Sequence, residues 1–237
     1  QRIVLERDAR ADVLIAVMPG TSVDAKIDVE LTGEGAEANL YGAYVCGTDE
    51  KVKIAVDMNH SKPHCMSRQL FKGIAAGESR VDFYGKIIVA QDAQRTEAYQ
   101  ENHNILLTDG AKVDTKPQLE IYADDVKCSH GATIGRLNEE EQFYMRSRGI
   151  SLEDAKVLQM ISFIAPVLEN IPDEAQREAV AAQFESDIRN IIRNLNRKEY
   201  PTLLVLYEIS SKSAWFFSVS QFQYSNEIFS PIALPQS

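Results

Sequence analysis

Short runs of β-branched and aromatic residues with period-two alternation fill the first half of the chain. They recur at roughly ten to fifteen residues and are bounded by turn signals such as Pro19-Gly20 and Asp109-Gly110. The predicted strands are 13–17, 25–31, 38–45, 52–56, 80–89, 104–107, 119–122 and 132–134. No amphipathic helix separates them, which excludes alternating strand–helix winding and leaves a sandwich, a barrel or a β-solenoid. Periodicity does not choose among the three, because no strict repeat is visible.

The pattern changes to helical periodicity after residue 137. Asn138 and Glu141 have the spacing of a capping box, and the helix that they start should stop at Gly149. Ser151 with Asp154 predicts a second helix, which Pro166 should end or kink.

A third helix is predicted with Pro172 in its first turn. Its apolar residues recur at intervals of three and four: Ala175, Ala179, Phe184, Ile188, Ile191, Ile192 and Leu195. Three arginines, Arg189, Arg193 and Arg197, lie towards its C-terminal end, where positive charge suits the helix dipole.

These patterns divide the chain into a β body at 1–137, a helical module at 138–197 and an atypical tail at 198–237. The tail from Pro201 onwards is rich in aromatic residues and poor in charge, without a clear helical period. It is consistent with an extra strand pair, a partner-binding strip or an artefact of translation, and it predicts no function.

The charge of the chain restricts its partners. It has 237 residues and a formal net charge of -10, and such an acidic protein repels nucleic acid and anionic membranes. No uninterrupted apolar run is long enough to span a membrane, and the N-terminus lacks a signal-peptide core. We therefore expect a cytoplasmic protein with no nucleic-acid or membrane partner. The absence of an initial Met suggests a fragment.

The cysteines do not form a disulfide framework, because there are three of them and no two make a CxxC. One local cluster, His60, His64 and Cys65, lacks the further ligands of a zinc site and is interpreted as a loop end. His103 is likewise interpreted as structural.

Cys128-Ser129-His130 is more informative. In a strand, residues i and i+2 point to the same side, so the thiol and the imidazole would share one face. Both are suitable ligands for iron, zinc or a cluster. Two ligands do not close a site, so a complete one would need a partner chain or distant strands.

Motifs of ordinary enzymes are absent from the sequence: it has no GxxxxGK[ST], no GxGxxG after a strand, no GxSxG and no HExxH. The acidic pair Asp124-Asp125 does not indicate a glycosidase, because adjacent strand residues face opposite ways.

Four stretches carry a family resemblance: 67–73, 102–107, the long block 114–133 and the helix start 143–150. Together they resemble the SufB/SufD family, and within it the SufD branch, over residues 1–197. The resemblance implies a right-handed parallel β-helix (solenoid) followed by a small C-terminal helical domain.

The resemblance also implies a function. This chain would be a non-catalytic scaffold subunit that pairs with SufB near the end of the β-helix and docks the SufC ATPase on its helices, in a complex that assembles iron–sulfur clusters. The expected SufB interface consists of Ala111, Asp114, Thr115, Pro117, Lys127 and His130. The expected SufC docking residues are Tyr144, Arg146, Ser147, Arg148, Gly149 and Ile150.

Within this family, His130 matches the functional histidine of the SufD Cys-Ser-His motif, and Cys128 is the weaker candidate. The SufB pattern has a cluster-scaffold cysteine where this chain has Ala111, and His-Glu where it has His130-Gly131. Both departures imply that the isolated chain holds no cofactor. A transient iron or iron–sulfur cluster would be shared with SufB, with ATP-driven SufC dimerisation opening the junction.

Two other functions stay open. A β-solenoid carbohydrate-active enzyme would share the strand spacing and would show clustered acidic and basic residues along one solenoid face. A purely structural subunit would use Cys128 and His130 only for packing. An exposed solenoid end would also favour a homodimer in isolation.

Overall fold

The computed structural model describes residues 1–193 in full and, beyond them, only the backbone of strands 203–210 and 215–220. The β body has ten strands: β1 (Arg2–Leu5), β2 (Arg10–Val17), β3 (Val23–Leu31), β4 (Glu37–Cys46), β5 (Lys51–His60), β6 (Met66–Ala75), β7 (Arg80–Val89), β8 (Glu97–Leu106), β9 (Lys112–Ile121) and β10 (Lys127–Gly135). Three helices and two more strands follow: α1 (Glu139–Ser147), α2 (Leu152–Leu168), α3 (Glu174–Arg193), β11 (Leu203–Ser210) and β12 (Trp215–Ser220).

The ten strands form two parallel sheets by alternating between them. The odd-numbered strands pair in the order β1-β3-β5-β7-β9, and the even-numbered ones in the order β10-β8-β6-β4-β2. Each coil therefore contributes one strand to each sheet and stacks in register on the coil before it. This is a parallel β-solenoid of about five turns followed by helices, so the fold implied by the family resemblance is confirmed.

In-register stacking turns the solenoid interior into columns of side chains. One column of the even sheet consists of Val17, Tyr44, Gly73 and Asn104. A Cβ on Gly73 would overlap the Tyr44 ring, so the missing side chain gives the ring its space. Tyr44 crosses that space and donates from its hydroxyl to Asn104 Oδ1 at 2.6 Å.

The interior becomes polar towards the last coils. Asn102 Nδ2 donates to the Tyr44 hydroxyl at 3.0 Å, and Asn104 Nδ2 donates to Asn102 Oδ1 at 2.7 Å. Burial raises the pKa of Tyr44, so its hydroxyl stays protonated. Buried polar groups are tolerated when they are hydrogen-bonded to each other, as these are.

The polar interior explains where the strand predictions were incomplete. The strand β6 was missed because two of its inward residues are Ser67 and Gln69. Only the end of β8 was predicted, because Gln100 and Asn102 point inwards before Asn104. The period-two pattern is present in both strands, but it places polar residues on the buried side. The short edge strand β1 was also missed.

The helix starts follow the predicted caps. Asn138 Oδ1 accepts from the Glu140 and Glu141 N–H groups at 2.9 and 3.2 Å. Ser151 Oγ accepts from the Asp154 N–H at 3.0 Å. Gly149 follows α1 with a φ of 88°, where glycine carries no Cβ penalty.

Two details of the helix predictions differ from the structure. Pro166 lies inside α2, which ends two residues later at Leu168. Pro172 precedes α3 instead of lying in its first turn, because Asp173 Oδ1 caps the helix by accepting from the Gln176 N–H at 2.8 Å. The positions Leu195 and Arg197, assigned to this helix from sequence, lie outside the described residues.

Helices α2 and α3 cover the outer face of the even sheet. The sheet contributes Leu14, Ala16, Met18, Ala43, Val45, Ile74, Ala76 and Ile105 to this second core. The helices contribute Val157, Met160, Ile164, Val167, Leu168, Val180, Phe184, Ile188 and Ile191. In the tail, β11 pairs antiparallel with β2 and with β12, which corresponds to the strand pair among the alternatives for the tail.

His60 makes the stability of the solenoid dependent on pH. Its ring is buried, lies 2.8 Å from Ser67 Oγ through Nε2, and has its pKa lowered to about 4 by desolvation. Because the histidine pKa is lower in the folded chain, the unfolded chain binds a proton at pH values where the folded chain does not. Stability is therefore lost as pH falls below the unfolded pKa of about 6.5.

Between pH 6.5 and pH 4, we expect the free energy of unfolding to fall by on the order of 2–3 kcal/mol less in His60→Gln than in wild type. Urea unfolding as a function of pH measures this difference. The exposed variant His64→Asn, at a position with φ of 60° that asparagine tolerates, should keep the wild-type slope. Equal slopes for His60→Gln and wild type would contradict the assignment.

Candidate functional site

The last coil leaves one end of the solenoid open. Strands β9 and β10 terminate the two sheets, and within the described residues no strand pairs with their outer edges. The two strands contact each other across this end. Their inward side chains are Val113, Thr115, Pro117, Leu119 and Ile121 on β9, and Cys128, His130, Ala132 and Ile134 on β10.

Two contacts establish which side chains of β10 face inwards. Cys128 packs against the solenoid core. Thr133 Oγ1 lies 2.8 Å from His103 Nδ1, outside the core. Because strand side chains alternate, Cys128 and His130 share the inner face, which agrees with their predicted arrangement. Register places His130 directly next to Gln100 of β8.

The backbone of β10 offers hydrogen bonds at the open edge. The Lys127 N–H donates to Thr96 O at 2.9 Å, so alternate residues from Lys127 onwards bond to β8. The residues between them, Cys128, His130, Ala132 and Ile134, direct their N–H groups to the open edge. The inward-facing residues of β10 are therefore also the ones with free backbone donors.

The edge of β9 is interrupted by a proline. The N–H groups of Lys112 and Tyr122 donate to Ser79 O and Val89 O at 2.9 Å each, which gives the even-numbered residues the bonds to β7. Pro117 lies in the other set, so its missing N–H costs no bond to β7 and leaves a gap at the open edge. Of the two edges, β10 has the complete row of donors.

Cys128 and His130 supply a sulfur and a nitrogen ligand, the donors that iron accepts in clusters. Burial raises the pKa of the Cys128 thiol, so it is a poor thiolate at neutral pH unless a metal displaces its proton. Within residues 1–193, no group of three His, Cys, Asp or Glu side chains could hold a metal ion. Cys128 and His130 therefore fit only part of the ligand set of an iron site.

Gln100 was not recognised from sequence, although it lies beside His130. Its side chain is buried, and its Oε1 has no hydrogen-bond partner. Thr115 Oγ1, on the opposite strand of the same open end, is buried and unpartnered as well. The signal available in the sequence is spacing, since Gln69, Gln100 and His130 follow each other at about one coil length.

The six residues expected at the SufB interface point in different directions. Thr115, Pro117 and His130 lie on the open inner face. Asp114 and Lys127 point outwards and form exposed ion pairs, with Lys116 at 2.9 Å and with Glu97 at 2.8 Å.

Ala111, the sixth of these residues, is buried in the core just before β9. Its buried side chain contributes to the packing of the solenoid core.

The six residues expected at the SufC site lie on and just after α1. Tyr144 is exposed, and the Arg148 guanidinium lies 4.3 Å from its ring centroid. Ser147 Oγ donates to Tyr144 O at 2.7 Å. The remaining residues are Arg146 within α1, and Gly149 and Ile150 after it. Phe143 of α1, which is not among these six residues, is 73% exposed.

A charged groove lies on the outer face of the odd sheet, where a carbohydrate-active enzyme would need its acids. Its lining residues are Arg2, Asp28, Glu30, Asp57, Asn59, Lys86 and Ile88. The carboxylates are engaged by cations: Arg2 bonds to Glu30 at 2.9 Å, and Lys26 contacts Asp28 at 3.0 Å. The groove is thus a ladder of surface ion pairs.

No helix among the described residues is long and apolar enough to cross a membrane.

Comparison with known proteins agrees with this architecture. The family model described as "SUF system FeS cluster assembly, SufBD core domain" matches residues 1–163. The iron–sulfur cluster assembly protein SufD of Escherichia coli is 39% identical over 182 residues, 77% of this chain and 43% of the relative. A SufBD family protein of Synechocystis is 45% identical over 117 residues, 49% of this chain and 25% of the relative.

A plant relative extends the comparison. The chloroplastic protein ABCI7 of Arabidopsis thaliana is 37% identical over 153 residues, 64% of this chain and 32% of the relative. The chain spans less than half the length of each of these curated relatives. The match to the core domain covers all ten strands of the solenoid and α1, and continues into α2. The chain therefore belongs to the SufBD family of iron–sulfur cluster assembly proteins, as a homologue of SufD.

Proposed function

We propose that this chain is a non-catalytic scaffold subunit of an iron–sulfur cluster assembly complex. In this proposal it pairs with a SufB-type subunit through the open end of the solenoid and docks a SufC-type ATPase on its helices. The observation that carries the proposal is the position of Cys128 and His130, a thiol and an imidazole on the inner face of the last coil, whose outer edges pair with no strand among the described residues.

The open end has the properties of an interface. An unpaired strand edge is a template for another strand, and burying it satisfies its N–H and C=O groups. Three large apolar side chains, Ile121, Tyr122 and Ile134, are exposed at this end. A partner strand added to β10 would meet a full row of donors, while Pro117 interrupts the row on β9. The same properties support a homodimer when no other partner is present.

The metal or cluster would be cargo that is shared across this junction. Cys128 and His130 provide two donors, whereas iron in a cluster requires more, so the partner has to supply the rest. Burial raises the pKa of the Cys128 thiol, so arriving iron would have to displace its proton. Because residues 1–193 offer no group of three His, Cys, Asp or Glu side chains that could hold a metal ion, ligation would depend on assembly.

The helical module supports a second interface. On α1, Phe143 and Tyr144 are exposed, and Arg146 and Arg148 follow them. Aromatic residues and arginine are the side chains that contribute most at protein interfaces. α1 is fixed to α2 by Gln142, whose Nε2 donates to Gln159 Oε1 at 2.9 Å. A force on α1 would therefore pass through α2 to the solenoid on which α2 packs.

Replacement of His130 tests the ligand role. We expect His130→Ala to lower iron affinity of the reconstituted complex with SufB-type and SufC-type subunits by at least ~10-fold, measured as bound iron per complex during titration. Ser129→Ala, on the outer side of the same strand, should leave iron binding unchanged. Full iron content in an intact His130→Ala complex would show that His130 only packs the junction.

Replacement of Ala132 by proline tests pairing at β10. Ala132 directs its N–H to the open edge, so Ala132→Pro should spare the bonds to β8 and weaken binding of the SufB-type subunit by about 10-fold or more. Binding would be measured by interferometry with the full chain immobilised. Thr133→Pro, which removes a bond to β8, should instead lower the melting temperature. Unaltered binding of a folded Ala132→Pro variant would exclude strand addition at this edge.

Replacement of the exposed aromatic residues tests docking on α1. The variant Phe143→Ser with Tyr144→Ser should reduce co-purification of the SufC-type ATPase several-fold, because both side chains are desolvated in such an interface. Pairing with the SufB-type subunit should persist. Leu158→Ser, at an exposed apolar position of α2, is the matched control. Equal loss in the control would place the ATPase elsewhere.

A further inference from the structure

One interior column changes from apolar to polar as it approaches the open end. Its members, in coil order, are Val13, Leu40, Gln69, Gln100 and His130. The first four side chains are buried. The fifth lies on the uncovered coil, where its ring is exposed. Gln100 is thus the buried polar residue directly behind His130.

The Gln100 amide is hydrogen-bonded to the preceding coil. Its Nε2 donates to Gln69 Oε1 at 2.9 Å, in the preceding coil. This bond uses the amide nitrogen and leaves the amide oxygen available. That oxygen is buried and has no partner.

A glycine on the opposite sheet leaves space for the Gln100 amide. Gly85 of β7 faces Gln100, and a Cβ at Gly85 would overlap Gln100 Nε2. The amide is therefore confined between Gln69 and the Gly85 backbone. A buried acceptor left without a donor is destabilising, so Gln100 Oε1 would gain from one more partner.

His130 can be that partner. Among the described residues, no hydrogen bond involves its ring, and register places His130 directly next to Gln100 on the inner face of β10. A histidine that ligates a metal nearly always donates its other ring N–H to a carboxylate or carbonyl oxygen, which fixes the tautomer. The carboxamide oxygen of Gln100 is such an acceptor.

We propose that Gln100 is a positioning residue for His130: its side-chain oxygen accepts a hydrogen bond from one imidazole nitrogen, so that the other nitrogen presents its lone pair at the open end. The inference deepens the ligand role proposed above and rests on it for its purpose. The proposed hydrogen bond needs no partner chain, only that the His130 ring turns towards Gln100.

The bond has a chemical consequence for ligation. Neutral imidazole exists as two tautomers, and only one leaves the lone pair on the nitrogen that faces the junction. With Gln100 as acceptor, the ring is held in that tautomer before iron arrives. Without it, part of the population would direct an N–H at the metal and could not ligate.

The test is the tautomer of His130 in the full 237-residue chain. Long-range proton–nitrogen NMR spectra of chain labelled with ¹⁵N-histidine would be recorded at a pH where all four imidazoles are neutral, with His130→Ala identifying the signals. We expect a single tautomer in wild type and a mixture in Gln100→Met, which keeps the side-chain length and removes the acceptor. A mixture in wild type would overturn the proposal.

The matched control is Asn102→Leu. Asn102 lies on the same strand, is equally buried and bonds to Tyr44, and its register partner is Ala132. This variant should lose stability and keep the single tautomer. If it also gave a mixture, the tautomer would depend on general packing of the interior and the role of Gln100 would be rejected.

A second measurement covers the case in which Gln100→Met does not fold. The ¹³Cδ shift of the Gln100 amide reports a hydrogen bond to its oxygen, and His130→Ala alters only an exposed residue. We expect this signal to move upfield in His130→Ala and to stay in place in Ser129→Ala. An unchanged signal in His130→Ala would overturn the proposal.

Iron binding separates this inference from the function on which it rests. In the reconstituted complex, loss of Gln100 should weaken iron binding by about 10-fold. A single tautomer that depends on Gln100, together with iron binding that ignores His130→Ala, would keep the hydrogen bond and reject the ligand role. Mixed tautomers in wild type, together with iron binding that depends on His130, would reject the hydrogen bond and keep the ligand role.

Discussion

In-register stacking of parallel coils is the constraint on which this structure depends. Each inward side chain has its neighbours one coil before and one coil after it, so packing and hydrogen bonding are settled within columns. Gly73 leaves room for the Tyr44 ring, and Tyr44 in turn bonds to Asn104. Among the described strands, those of the last coil have a neighbour on one side only. Its side chains and its backbone donors are therefore incomplete for the same reason.

This incompleteness connects the fold to the family. Under the proposed function, the chain would need ligands that are insufficient alone, on a surface that another chain would cover. The open end of the solenoid combines both, since Cys128 and His130 lie on the strand whose edge has a full row of free N–H groups. The polar column behind His130 places a buried acceptor where a ligating histidine needs one.

The helical module depends on the solenoid for its position. α2 and α3 pack on the outer face of the even sheet, so that sheet is buried on both sides where the helices cover it. Lys72 of β6 lies under this layer with its ammonium 4.8 Å from the Phe163 ring centroid, and desolvation lowers its pKa. One sheet thus links the two proposed interfaces, with the helices on its outer face and His130 at its end.

Local chemistry in the sequence determined the helix starts, because Asn138 and Ser151 cap helices through contacts within one turn. It also determined most strands and, through the block around Cys128-Ser129-His130, the family. It did not identify β6 or the buried position of Gln100, since an inward polar residue looks like a surface residue until its partners are known. Only the tertiary structure decided that Gln69, Gln100 and His130 form one column, because the register between coils brings together residues about thirty positions apart.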